Sequence, residues 1–232
     1  MTTIAKNLQT INFAIAQGMR LAGRHKDAIH LLAVSKGVSA ALVREAHQAG
    51  QHAFGENYIQ EALNKIELLR DLSLQWHFIG PIQGNKTQAI AAHFAWAHGV
   101  DRPKIAERLS AQRPADLPPL NVCIQVNVDE EASKSGIMSD NLLDLARTVA
   151  SLPRLKLRGL MCIPAPIEGF ENQRIPFAKL RELLQEINTH GLAMDTLSMG
   201  MSHDFNAAIL EGATIMRIGT AIFGKRSYGE AK

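Results

Sequence analysis

From Ile4 to Leu21 the apolar residues Ile4, Leu8, Ile11, Ile15 and Met19 recur at intervals of three and four, which predicts an amphipathic helix. Beyond it the pattern changes. Short β-rich runs, "HLLAVS", "HAFGE", "WHFIG", "AWAHGV", "LNVCIQVNV", "LKLRGLMCI", "DTLSMGM" and "ATIMRIGTAIFG", are separated by stretches of helical spacing such as "AALVREAHQAG", "EALNKIELLRDL", "NLLDLARTVASL" and "FAKLRELLQEINTHG". Eight strands are predicted, each but the last followed by a helical segment. Strands that are apolar throughout and joined by helices predict a parallel sheet covered on its faces. Eight such units in 232 residues suit a closed (β/α)8 TIM barrel of the α/β class better than an open doubly wound sheet. No linker or shift in composition divides the chain, so one domain is expected over 1–232, with an extra helix in 1–23 and the barrel over 30–224. "RPADLPPL" and "IPAPIEGFENQRIP" read as loops, the second long enough to move at an active site.

Composition changes this picture little. The chain is 46% hydrophobic and 20% charged, enough for a sizeable core. The net charge of +3 and pI near 9.0 come from dispersed Lys and Arg, so neither a nucleic-acid partner nor a membrane anchor is expected. Cys123 and Cys162 stand in apolar runs without metal-ligand spacing, and read as reduced core residues rather than a disulfide or a metal site. The N-terminal stretch has no continuous apolar segment, so a cytoplasmic protein without a signal peptide or membrane span is expected.

The candidate chemistry lies at the C-terminal strand ends, where barrels of this type build their sites. Strand one ends on Lys36, strand two on Glu56, Asn57 and Tyr58, strand seven in "GMSHD" and strand eight in "RIGTAIFG". In such barrels a phosphate commonly sits after strands seven and eight. Ser202 supplies a hydroxyl there, and Gly219 and Thr220 supply backbone amides that no bulky side chain obstructs. Ser202 reads equally as a helix N-cap and Gly219 as a tight turn. A lysine beside a phosphate site suggests a phosphorylated carbonyl held as a Schiff base, which fits a lysine aldolase or a pyridoxal 5'-phosphate (PLP) protein. Arg217 shares a strand face with Gly219 and could meet a pyridine nitrogen while Gly219 meets the phosphate.

Seven blocks carry a family likeness: "LLAVSK", "FGENYIQE", "WHFIGPIQGNK", "VNVDEEASKSG", "LRGLMCIP", "LSMGMSHDFNAAI" and "RIGTAIFG". Together they resemble the PLP homeostasis protein family, also called the YggS/PROSC family, from the first strand to the last. The resemblance implies a fold-type III PLP barrel, like the N-terminal domain of alanine racemase, with the cofactor on Lys36. It implies that Ser202, Gly219 and Thr220 hold the phosphate and that Arg217 meets the pyridine nitrogen. Asn57 and His77 fall in family blocks near the cofactor, though His77 also reads as a core histidine. Lys134 reads as a second amine near the pocket or as a solvated loop residue. One departure is Gly37, which follows Lys36 where many members have a proline shortly afterwards; a more flexible loop is expected there.

Racemisation needs a second acid/base on the opposite face, supplied in alanine racemase by a tyrosine of a further domain from the partner subunit. The only tyrosines are Tyr58 and Tyr228, and the chain stops just after the last strand. A monomeric, non-catalytic binding protein is therefore expected, acting in vitamin B6 homeostasis and delivering PLP to PLP-dependent apo-enzymes. The alternative is a racemase-like PLP enzyme of weak activity.

Overall fold

The computed structural model describes residues 1–25, 27–131 and 135–224. Lys134 and Tyr228 lie outside them. Helix α1 (Thr3–Leu21) leads into β1 (His30–Val34), α2 (Ala40–Gln48), β2 (Ala53–Glu56), α3 (Ile59–Leu68) and β3 (Gln75–Phe78). Then come α4 (Thr87–His93), β4 (Trp96–Val100), α5 (Pro103–Gln112), β5 (Leu120–Gln125), α6 (Leu142–Ala150) and β6 (Leu155–Met161). The order ends with α7 (Phe170–Thr189), β7 (Thr196–Ser198), α8 (Phe205–Leu210), β8 (Ile215–Ile218) and α9 (Thr220–Phe223). All eight strands run parallel in sequence order, and β8 closes on β1 in the register His30↔Ile215 to Ala33↔Ile218.

Strand alternation divides the apolar residues between two cores. On β1, Leu32 and Val34 join Ile79, Trp96, Cys123, Met161 and Ile215 in the cluster that fills the barrel. Ala33 faces the other way and joins Phe54, Trp76, Phe78, Val122 and Leu160 beneath the helices. Burial pushes both thiols up, to about 12, which leaves Cys123 and Cys162 as unreactive core residues.

Helix α1 is capped by Thr2, whose hydroxyl accepts from Ala5 N at 3.3 Å, and buries Ile4, Leu8, Ile15 and Met19. It packs against α2, α8 and α9, and Asn7 Nδ2 donates to Ile222 O at 2.8 Å. The added helix thus covers the seam between β8 and β1, where α9 spans only four residues.

Two stretches depart from the expected pattern. Strand eight stops at Ile218; Gly219 leaves the extended region (φ −119°, ψ −73°), and its carbonyl accepts from Ile222 N and Phe223 N. The loop expected over 163–176 is shorter, because α7 begins at Phe170 and runs through Pro176. Proline removes one helical donor. Burial of Phe177, Leu180 and Ile187 on one face of α7 outweighs that loss.

Candidate functional site

A cavity of about 220 Å³ opens at the C-terminal end of the barrel. Lys36, Asn57, Ser202, Arg217, Gly219 and Thr220 all line it, brought there by β1, β2, the β7–α8 loop and β8. Val34, Ile79, Ile163 and Met201 form its apolar wall, and His203 stands beside Ser202. Strand alternation could have found Val34 and Ile79, each two residues from a named position, whereas the loop residues Ile163, Met201 and His203 carry no comparable periodic signal.

The backbone on both sides of Lys36 is held by a charge cluster of buried Glu56 and Lys65 with the partly exposed Glu61. Glu56, fully buried at the end of β2, accepts from Ser35 Oγ at 2.6 Å and from Lys65 Nζ at 2.8 Å. Lys65 also donates to Ser35 O at 2.6 Å and to Glu61 Oε1 at 2.5 Å, and Glu61 Oε1 accepts from Gly37 N at 2.6 Å. Burial raises the pKa of Glu56, an effect opposed by Lys65 and Ser35. Gly37 has φ +71°, a region that favours glycine. The loop expected to be flexible is therefore tied at both residues flanking Lys36.

Asn57 Oδ1 is buried without a hydrogen-bond partner among the described residues, while Asn57 lines the cavity. Its backbone is set by close approach: a Cβ on Gly80 would stand 2.6 Å from Asn57 O. Arg217, 4% exposed, donates to Ser198 O at 2.6 Å, to Ser198 Oγ at 2.8 Å and to Cys162 O at 2.8 Å. All three acceptors are uncharged, and burial lowers the arginine's pKa from its ordinary value. Ser202 is exposed, and it does not cap α8. Asp204 takes the N-cap position, and its carboxylate accepts from Met201 N at 2.6 Å.

His77 stands apart from these residues. It projects from β3 into the barrel, stacks on Trp96 at 5.3 Å and hydrogen-bonds His98 at 3.0 Å and Gln75 at 3.0 Å. With Gln75 it borders a separate cavity of about 740 Å³ near the N-terminal strand ends. The structure thus places it in the barrel interior and not on the wall around Lys36, which is reached instead by Ile79, the residue just past the end of β3.

Burial lowers the pKa of His77 to about 3 and that of His98 well below 6.5. The unfolded chain therefore binds more protons between those values, and the stability they confer is complete above about 6.5 and drains as pH falls towards 3. Lowering the pH from 7 to 5 is expected to cost about 2 kcal/mol of unfolding free energy through His77 alone, with His98 adding in the same direction. Urea denaturation at both pH values measures it, and His77→Gln should reduce the difference to the part that His98 contributes.

Residues 6–227 match the family model described as alanine racemase, N-terminal domain. A Pseudomonas aeruginosa protein named pyridoxal phosphate homeostasis protein is 59% identical over 229 residues, which cover 99% of this chain and 98% of that one. An Escherichia coli protein of the same name is 49% identical, with coverage of 99% and 100%. The chain belongs to the pyridoxal phosphate homeostasis protein family. Among solved structures, PipY of Synechococcus elongatus with PLP bound superposes with a TM-score of 0.80 at 36% identity, over 90% of this chain and 100% of that one. Alanine racemase of Corynebacterium glutamicum shares the fold, with a TM-score of 0.67 at 20% identity over 99% of this chain and 63% of that one.

Among the described residues no helix is long and apolar enough to cross a membrane, and no cluster of three His, Cys, Asp or Glu side chains is placed to hold a metal ion.

Proposed function

We propose that this chain holds PLP covalently on Lys36 and serves to store the cofactor and hand it on. One observation carries this: a lysine, a hydroxyl-bearing loop and a buried arginine converge on a single cavity at the C-terminal strand ends. The relatives' name and the PLP-bound structure of PipY support it.

The residues fit the group. Lys36 supplies the amine, Ser202 with the Gly219 and Thr220 backbone would take the phosphate, and Arg217 would face the pyridine nitrogen. The orphaned Asn57 Oδ1 offers an acceptor for a donor on the ligand. When bound, PLP supplies an aldehyde that a primary amine can capture. Arg217 has donors only, so opposite a ring nitrogen it favours the unprotonated form and weakens the ring as an electron sink. That suits retention and exchange better than carbanion chemistry.

Ser202 is expected to act on retention and not on folding. Ser202→Ala should speed cofactor loss roughly tenfold, since a charge-assisted hydrogen bond to phosphate is lost. The melting temperature of the cofactor-free protein should stay unchanged, because Asp204 and not Ser202 occupies the cap position. Equal losses in both measurements would make Ser202 a structural residue.

The recipients are PLP-dependent apo-enzymes, and the working form is a cytoplasmic monomer. Incubating the loaded protein with an apo-enzyme tests delivery: the recipient should gain activity as the carrier loses colour. A recipient that stays inactive would contradict it. One observation favours a second reading, a weak racemase-like enzyme: His203 borders the cavity, with its Nε2 3.3 Å from Asp204 Oδ2. Turnover of amino acids above the level of Lys36→Ala would support that reading over a non-catalytic carrier.

A further inference from the structure

A line of hydrogen bonds crosses the barrel interior from the proposed cofactor site to the opposite end. Arg217 Nη1 meets Ser198 Oγ at 2.8 Å, Ser198 Oγ meets His98 Nδ1 at 2.8 Å, and His98 Nε2 meets His77 Nδ1 at 3.0 Å. His77 Nε2 meets Gln75 Oε1 at 3.0 Å, at the exposed start of β3.

Donor and acceptor chemistry gives this line a single direction. The Gln75 carbonyl oxygen accepts, so His77 carries its proton on Nε2. Both imidazoles are buried, which favours their neutral form, and a neutral imidazole has one donor and one acceptor. His77 Nδ1 must then accept from His98 Nε2–H, which leaves His98 Nδ1 to accept from the Ser198 hydroxyl. Ser198 Oγ in turn accepts from Arg217, which can only donate. Each group has its role set by its neighbour. Trp96 stacks on His77 with an interplanar angle of 6°, and Arg158 lies 4.9 Å over the same indole, so packing also fixes the ring.

We propose that His98 is a positioning residue: through Ser198 it holds Arg217 in place against the cofactor ring, while His77 and Gln75 fix the His98 tautomer. This role presupposes the PLP site proposed above. Without an acceptor at His98 the Ser198 hydroxyl is free to rotate, and the Arg217 guanidinium loses a defined partner.

Long-range nitrogen NMR of the cofactor-free protein reads the tautomers directly, and both His77 and His98 should be protonated on Nε2. Protonation of His98 on Nδ1, or an imidazolium at neutral pH, would overturn the proposal. With PLP added, His98→Leu should release cofactor roughly tenfold to a hundredfold faster and shift the visible band, since a hydrogen bond to a charged group is weakened. His98→Asn should restore both properties, because its amide oxygen can accept from Ser198 as Nδ1 does. If His98→Leu does not fold, Ser198→Ala carries the same expectation. A wild-type chromophore that neither variant alters would overturn the relay and leave the cofactor site standing. A wild-type protein that takes up no PLP would overturn both.

Discussion

Lys65→Met is expected to lower the unfolding free energy by about 3–5 kcal/mol, because it strands a fully buried carboxylate without its counter-charge. Glu56 has no exposed surface, and Lys65 is the leading group opposing the cost of its burial. For a chain of this size the loss corresponds to a fall in melting temperature of about 10 °C. Glu56→Gln combined with Lys65→Met should recover most of the stability, since a neutral amide still accepts from Ser35 and no charge is left buried. Thermal melts of wild type, single and double variant measure this, and a single variant as stable as wild type would show that the cluster contributes nothing. The same set separates stability from site geometry. Lys65 also grips the Ser35 carbonyl and orients Glu61, which holds Gly37 N, so the double variant should retain PLP less well even where its melt is restored.

Lys36→Ala should abolish covalent capture of PLP altogether, leaving only reversible binding by the other residues that line the cavity. The expected readout is complete loss of the visible band that borohydride removes, with the far-ultraviolet circular dichroism of the fold intact. Lys36→Arg is the informative control. It keeps the positive charge but has no free amine at neutral pH, so it should behave like alanine in capture. Capture by Lys36→Arg at the wild-type level would place the covalent bond on another residue.

The alternation of apolar runs with helical stretches made the barrel legible in the sequence, because each strand of a sheet buried on both faces must be apolar throughout. The end of each strand was less legible. Strand eight reads as one β-rich run to Gly224, and only the backbone turn at Gly219 shows where it becomes α9. Pro176 reads as a breaker, yet the helix runs through it, with Pro176 itself buried beside Phe177 and Leu180. The cavity wall was legible where residue type and strand position coincide, as at Lys36, Arg217 and Gly219. His77 sits in the same block as cavity residues but one strand step too deep, a distinction of register that adjacency in sequence does not carry. The cluster of Glu56, Glu61 and Lys65 was hidden because Glu56 reads as a strand-end acid and Glu61 and Lys65 fall in a stretch of helical spacing that does not mark them out. Only tertiary packing shows that Lys65 is 5% exposed.

The most direct measurement is borohydride reduction of the PLP-loaded wild-type protein followed by peptide mapping. A single pyridoxyl group on the peptide that contains Lys36 is the expected result, whereas label on other lysines with Lys36 unmodified, or no label at all, would contradict the assignment of this cavity.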